Sequence, residues 1–371
     1  MIKASNYPGF RATLKLPRLL SEHARRTLIH KSKNVTEKKL EITGMSENVN
    51  TTMNGSQTLS CFNNPTAEKI GKTFFYSSIF LVSLAGNIVI AMIVYKTKPM
   101  RKPINFLIVN MAMSDLMYPI FLIPMSIQGV YIDSWMIDGP LGQALCKLVF
   151  FLTHASGLVS ILSLVLIAVD RCGAVVFPLR SPPISSKLCP FFILTTWIIA
   201  MVVGSPYLFA MKLVKYPRGL ECEMHWNEVF GETLLFKNYF VAFSFVFIFI
   251  PLVLIAILYI TILLKLKSQK IPGEQSANTV KAEQRRQRER NVLKMAIAIV
   301  LGFAICWLPF IIVYLLVVFA SDIMMSCSFQ YLHSFAFLML SANCALNPCL
   351  CFIFSSNFRE GLKALLRKMT F

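Results

Sequence analysis

Apolar runs of about 20 residues or more recur seven times along this chain. They lie at roughly Thr73–Tyr95, Ile104–Val130, Leu148–Val169, Leu188–Leu208, Tyr239–Leu264, Met295–Ala320 and Tyr331–Phe354. A helix rises about 1.5 Å per residue, so each run can cross the roughly 30 Å hydrocarbon core of a bilayer. The runs are continuous rather than alternating in polarity, which implies helices and not barrel strands. Charge agrees, since 15% of the residues are Asp, Glu, Lys or Arg, against about 25% in ordinary soluble domains. The expected fold is an all-α membrane protein, a seven-transmembrane helix bundle.

Lys and Arg collect in cytoplasmic loops. Lys96, Lys98, Arg101 and Lys102 follow the first run, eight bases from Lys265 to Arg290 separate the fifth and sixth, and Arg359, Lys363, Arg367 and Lys368 follow the seventh. The alternate loops hold Asp133, Asp138, Glu221, Glu223, Glu228, Glu232 and Asp322. This pattern predicts an extracellular tail over 1–72, a bundle over 73–354, and a cytoplasmic amphipathic helix with a short tail over 355–371. The implied address is the plasma membrane. Much of the +19 net charge is therefore topology. The RRQRER run at 285–290 abuts a membrane helix, which argues against a nucleic-acid partner. Three glycosylation triplets, at Asn34, Asn50 and Asn54, fall in the outer tail. Residues 1–40 are basic and lack the apolar core of a signal peptide, and Met45 is the alternative start.

Polar side chains inside a membrane helix are costly and usually functional. Asp115 is the one carboxylate within the apolar body of any run; Asn87, Ser160, Asn343 and Asn347 accompany it. With these residues in place the chain resembles the rhodopsin-like (class A) G-protein-coupled receptors over about 73–368. The matching pieces run in order: Gly86-Asn87, Asn110 with Asp115, Cys146, Asp170-Arg171-Cys172, Trp197, Cys222, Pro251 with Tyr259, Cys306-Trp307-Leu308-Pro309, and Asn347-Pro348 with Phe358.

The resemblance implies roles. Cys146 and Arg171 are 25 residues apart, about 37 Å of helix, so Arg171 reaches the inner mouth of the bundle. There Asp170 and, in the family's inactive state, an acid at the foot of the sixth helix hold the arginine; Glu289 fits that place. Outward movement of the sixth helix would free Arg171 to meet a heterotrimeric G protein, with Tyr259, Asn347 and Pro348 completing the switch. Arrestin and membrane lipid are further implied partners. Pro309 supplies a hinge, and Phe303 with Trp307 resembles the aromatic toggle above it. Asp115, Ser160, Asn343 and Asn347 match an allosteric sodium site, oxygen ligands suiting a hard cation; Cys344 stands where the family often has serine. No other cofactor is implied. Cys146 and Cys222 match the extracellular disulfide. Cys61 and Cys327, the only other outside cysteines, suggest a second bridge. The departure with most consequence is Cys351, where the family's NPxxY pattern has a tyrosine that meets Tyr259 in the active state.

No catalytic constellation occurs, so an enzyme is not expected. The family's amine-binding carboxylate position holds Thr153, and the retinal lysine position holds Ser341. The remaining pocket is Thr153, His154, Phe243, Phe310, Ile311, Tyr314, His333 and Phe337: aromatic, roomy and short of fixed charge. With acids in the outer loops to steer a basic ligand, it looks like the neuropeptide branch, whose ligands include short amidated peptides. A lipid or other apolar small molecule is the alternative ligand. A transporter is the alternative class, against which no internal repeat is seen.

Overall fold

In the computed structural model, the described residues are 65–132, 134–177, 184–217, 219–231, 236–268, 277–319 and 326–369. Among them seven helices are long and apolar enough to cross a membrane: Thr66–Lys96, Pro103–Tyr131, Gly139–Val176, Cys189–Ala210, Phe236–Lys265, Ala296–Val317 and Cys327–Phe354. They are called here the first to seventh spans. The expected runs all become helices. The first helix begins at Pro65, so 65–72 is not tail. Glu68 and Lys72 pair one turn apart, which lets the helix continue after its apolar stretch has ended.

Polarity is inverted relative to a soluble bundle. Phe74, Phe191, Val202, Phe245, Val253, Leu301 and Ile353 point outward and exposed, while Asn87, Asn110, Asp115, Ser160 and Asn347 are buried. In water such an apolar perimeter would drive association; in hydrocarbon it is the matched surface. Asn110 ties three spans together: its amide donates to Ser163 at 2.9 Å and Thr196 at 3.2 Å, and Trp197 Nε1 donates to its oxygen at 2.8 Å.

Prolines shape the spans by withholding N–H groups from the carbonyl four residues back. Pro119 has no N–H for Asp115, and the second span breaks at Leu116 into Pro103–Asp115 and Met117–Tyr131. Pro206 leaves the Val202 carbonyl, which the Ser205 hydroxyl takes at 2.8 Å. Pro251 follows a π-helical turn over Phe245–Phe249, a register that absorbs the missing donor. Pro348 frees the Cys344 carbonyl, and this one is repaired from another span. Asn87 Nδ2 donates to it at 3.0 Å and Ser83 Oγ at 3.1 Å. The first span comes close enough because position 86 is glycine: a Cβ there would sit 2.6 Å from the Pro348 Cβ.

At one end of the bundle the fourth span leads into a hairpin, β1 (Met211–Tyr216) and β2 (Gly219–Met224), paired antiparallel with Tyr216 opposite Gly219. Gly219 has φ +131°, and a side chain there would also collide with Ser134. The Gln143 amide clamps β1, donating to Met211 O at 3.3 Å and accepting from Leu213 N at 2.9 Å. Trp135 N donates to Leu220 O at 2.7 Å on the other edge. At the opposite end of the bundle Ser356–Met369 forms the expected amphipathic helix, burying Phe358 and Leu365. Gly361 lies directly on Ile93 of the first span, and Arg359 caps the seventh span by donating to Phe352 O and Ile353 O at 3.1 and 2.6 Å.

Candidate functional site

The half of the bundle nearer the hairpin holds a connected set of rings. His154 of the third span lies 4.3 Å from Phe243 and 4.7 Å from Tyr207, centroid to centroid. From the fifth span the chain of rings crosses to Tyr314, 4.0 Å from Phe240 and 5.8 Å from Phe236. It continues through Phe310 at 5.6 Å, Phe337 at 5.4 Å and His333 at 4.6 Å, on the sixth and seventh spans. Six of the eight residues expected in the pocket thus join one aromatic wall. The other two have no ring to contribute. Thr153 turns its hydroxyl back to Val149 O at 2.6 Å, as β-branched hydroxyls in helices do, and Ile311 is 1% exposed in the central apolar core. Tyr207, Trp226, Phe236, Tyr239 and Phe240 belong to the same set of rings but were not among the sequence candidates. The aromatic spacing in FKNYF, 236–240, was the available signal.

Below the wall Trp307 stacks on Phe303 at 5.4 Å and 19°, and edges against Phe310 at 6.4 Å. A Cβ at Gly157 would overlap the Trp307 ring, so the third span accepts the indole only because that position has no side chain. Trp307 Nε1 is buried without a hydrogen-bond partner among the described residues. Packing alone therefore holds this ring.

Asp115 lies one layer deeper. Ser160 donates to its Oδ1 at 3.0 Å and Asn347 Nδ2 to its Oδ2 at 2.6 Å, linking the second, third and seventh spans. Asn343 is buried near the same level of the seventh span, with no hydrogen bond to the carboxylate among the described residues. The Asp115 carboxylate and Ser160 hydroxyl are oxygens a hard cation accepts. The Cys344 thiol is turned away, donating to Ser341 O at 2.9 Å.

At the end of the bundle away from the hairpin Arg171 Nη2 donates to Asp170 Oδ2 at 2.5 Å. Arg171 and Tyr259 face a common cavity of about 20 Å³, room for one water, whose other walls are apolar: Ile104, Ile108, Leu164, Ile167, Ala296 and Ile299. Arg171 Nε is buried and has no hydrogen-bond partner among the described residues. Glu289 lies on the helix Ala277–Phe319, but its side chain is outside the described residues. Cys351 is fully buried in the central core.

The Cys146–Cys222 bridge is present, with Cα atoms 5.7 Å apart. Cys327 is also disulfide-bonded; Cys61, like Asn34, Asn50 and Asn54, lies outside the described residues. Of the acids expected to steer a ligand, Glu223 and Glu228 are engaged within the loop itself. Glu223 is buried, accepting the Tyr216 hydroxyl at 3.0 Å. Glu228 is engaged by Lys212 at 2.6 Å and His225 at 2.7 Å, which hold its carboxyl down to about 2. The Gly139 N–H, and then Lys215, hold Asp138 below the usual carboxylate range. Acids satisfied by neighbouring lysines and hydroxyls project little field toward a ligand. Glu232 and Asp322 are outside the described residues.

Residues 86–350 match the family described as 7 transmembrane receptor (rhodopsin family). The chain belongs to that family. Its relatives place it in the neuropeptide-receptor branch. The RYamide receptor of Drosophila melanogaster is 29% identical over 312 residues, 81% of this chain and 64% of that receptor, so the chain spans less than two thirds of that relative. The QRFP-like peptide receptor of Branchiostoma floridae is 31% identical over 300 residues, 79% of this chain and 76% of the relative. The neuropeptide Y receptor type 1 of Xenopus laevis is 28% identical over 294 residues, 78% of each chain. These proteins are receptors, and this rhodopsin-family chain is a multi-pass membrane receptor and not an enzyme. Within the rhodopsin family its own departures are now located. Cys172 is half-buried beside the Asp170–Arg171 pair, and Cys351 is enclosed by core side chains.

Proposed function

We propose that the chain is a plasma-membrane receptor, with its N-terminus outside, that binds a short neuropeptide and activates a heterotrimeric G protein. The observation that carries this reading is the aromatic wall from His154 to His333 above the stacked Phe303–Trp307 pair. Rings of this kind receive the apolar and aromatic side chains of a peptide, and the relatives carry peptide names. A ligand seated on Phe310 presses on Trp307, and Pro309 two residues on gives the sixth helix its hinge. Outward swing of that helix exposes Arg171 to the G protein; arrestin would dock on the same cytoplasmic face, with lipid around the bundle.

The test is a screen of amidated peptides on cells expressing the chain, read as second-messenger release. Arg171→Ala, at matched surface level, should bind a labelled hit normally and lose the release. Release surviving in that variant would place coupling elsewhere.

Sodium at Asp115 is the second element of the proposal. A cation there would be held by the carboxylate and the Ser160 hydroxyl, opposing the closure of the core that accompanies activation. Affinity for a peptide agonist should fall severalfold when sodium replaces a bulky organic cation at constant ionic strength, a coupling of about 1 kcal/mol. Asp115→Asn should erase that difference, and a variant that keeps it removes Asp115 from the site.

A further inference from the structure

The loop that leaves β2 for the fifth span gathers an ionisable cluster that the ligand pocket does not use. His225 Nδ1 is 2.7 Å from Glu228 Oε1. Its Nε2 is 3.5 Å from Glu223 Oε2, buried, and without a hydrogen-bond partner. The groups facing the imidazole are thus Glu223 of β2, which also takes the Tyr216 hydroxyl of β1, and Glu228 of the short helix Trp226–Phe230, whose other oxygen takes Lys212 of β1.

A neutral imidazole has one N–H and one lone pair. With the proton on Nδ1, the Nε2 lone pair faces the Glu223 carboxylate. With the proton on Nε2, the Nδ1 lone pair meets Glu228 at 2.7 Å. Only the imidazolium donates to both. We propose that His225 is an extracellular proton sensor, whose protonation fastens the hairpin exit to Glu223 and Glu228.

The position gives that bond leverage. His225 N donates to Ala210 O at 2.8 Å, tying the residue to the end of the fourth span. The next residue, Trp226, is buried and packs 4.8 Å from Tyr239 of the fifth span. A firmer His225 therefore steadies the link between the outer loop and the aromatic wall. Histidine is the side chain whose ordinary titration falls between about pH 5 and 8. Glu228, held down to about 2 by Lys212 and His225, stays charged throughout that window and supplies a constant partner. The imidazolium can donate to both carboxylates where the neutral ring can donate to one, so protonation tightens this link. The inference stands whether the ligand is a peptide or not.

The experiment uses the purified full chain in detergent, at about pH 8 and about pH 6. Thermal midpoints are measured for the wild type and for His225→Gln, which keeps one donor and cannot titrate. The wild type should gain roughly 2 °C over the variant on acidification. Titrating groups that do not contact His225 cancel in that difference. Hydrogen exchange in 219–231 of the wild type alone, corrected for the intrinsic effect of pH on exchange, should show protection rising severalfold at the lower pH. This second measurement needs no variant to fold. A variant whose midpoint follows the wild type across the range, or exchange in that segment indifferent to pH, overturns the proposal.

Discussion

Replacing Cys146 or Cys222 with alanine is expected to abolish delivery of the receptor to the cell surface, or to leave a surface population that no ligand activates. The bridge joins the third span to β2 across a sequence separation of 76 residues. Around it Phe151, Tyr207, Ala210, Met211, Met224 and Trp226 form their own buried cluster. Without the bridge, the hairpin keeps the Gln143 clamp and the Trp135 bond, each worth about 0.5–1.5 kcal/mol. Loss of a native disulfide costs about 2–5 kcal/mol in small secreted domains, more than either bond restores. Radioligand or labelled-peptide binding, with surface staining of a tagged chain, reads both effects. Normal staining and normal potency in both single variants would mean that the clamp and the cluster suffice.

The bundle was legible because hydropathy and helix length act on a whole segment at once. What escaped the sequence depends on pairs of segments. The first helix was expected from Thr73, where the apolar run starts, yet Glu68 and Lys72 satisfy one another and carry the helix back to Pro65. Asn87 was visible as an intramembrane amide. Its partner was not, because the Cys344 carbonyl is available only through Pro348 on a helix 261 residues from Ser83. Glu223 read as a surface acid, since nothing along the chain announces that Tyr216 and His225 enclose it. The aromatic pocket was half visible. Residues at family positions were found, whereas Tyr207, Phe236, Tyr239 and Phe240 enter through the meeting of the fourth, fifth and sixth spans. Thr153 and Ile311 carry no ring and so add nothing to the aromatic wall, the one bonding back along its helix and the other packed in the core.

Gly157→Ala carries the sharpest test of the toggle. The added methyl would overlap the Trp307 ring, and no hydrogen bond at Nε1 holds the indole where it is. The ring must therefore turn, against its stack with Phe303, or the third and sixth spans must part. Overpacking of this kind costs about 1–3 kcal/mol. If the displaced ring belongs to the active arrangement, that cost falls on the inactive state alone. The equilibrium then shifts by roughly fivefold to more than a hundredfold, since about 1.4 kcal/mol is tenfold. Basal second-messenger output per surface receptor should rise accordingly. The double variant with Trp307→Ala separates the cause, because the methyl then has nothing to strike. There Gly157→Ala should add no basal output beyond that of Trp307→Ala itself, the coupling being confined to residues in contact. Lower surface expression with unchanged output per receptor would instead show that both states suffer the overlap equally, and Trp307 would be a core side chain and no switch.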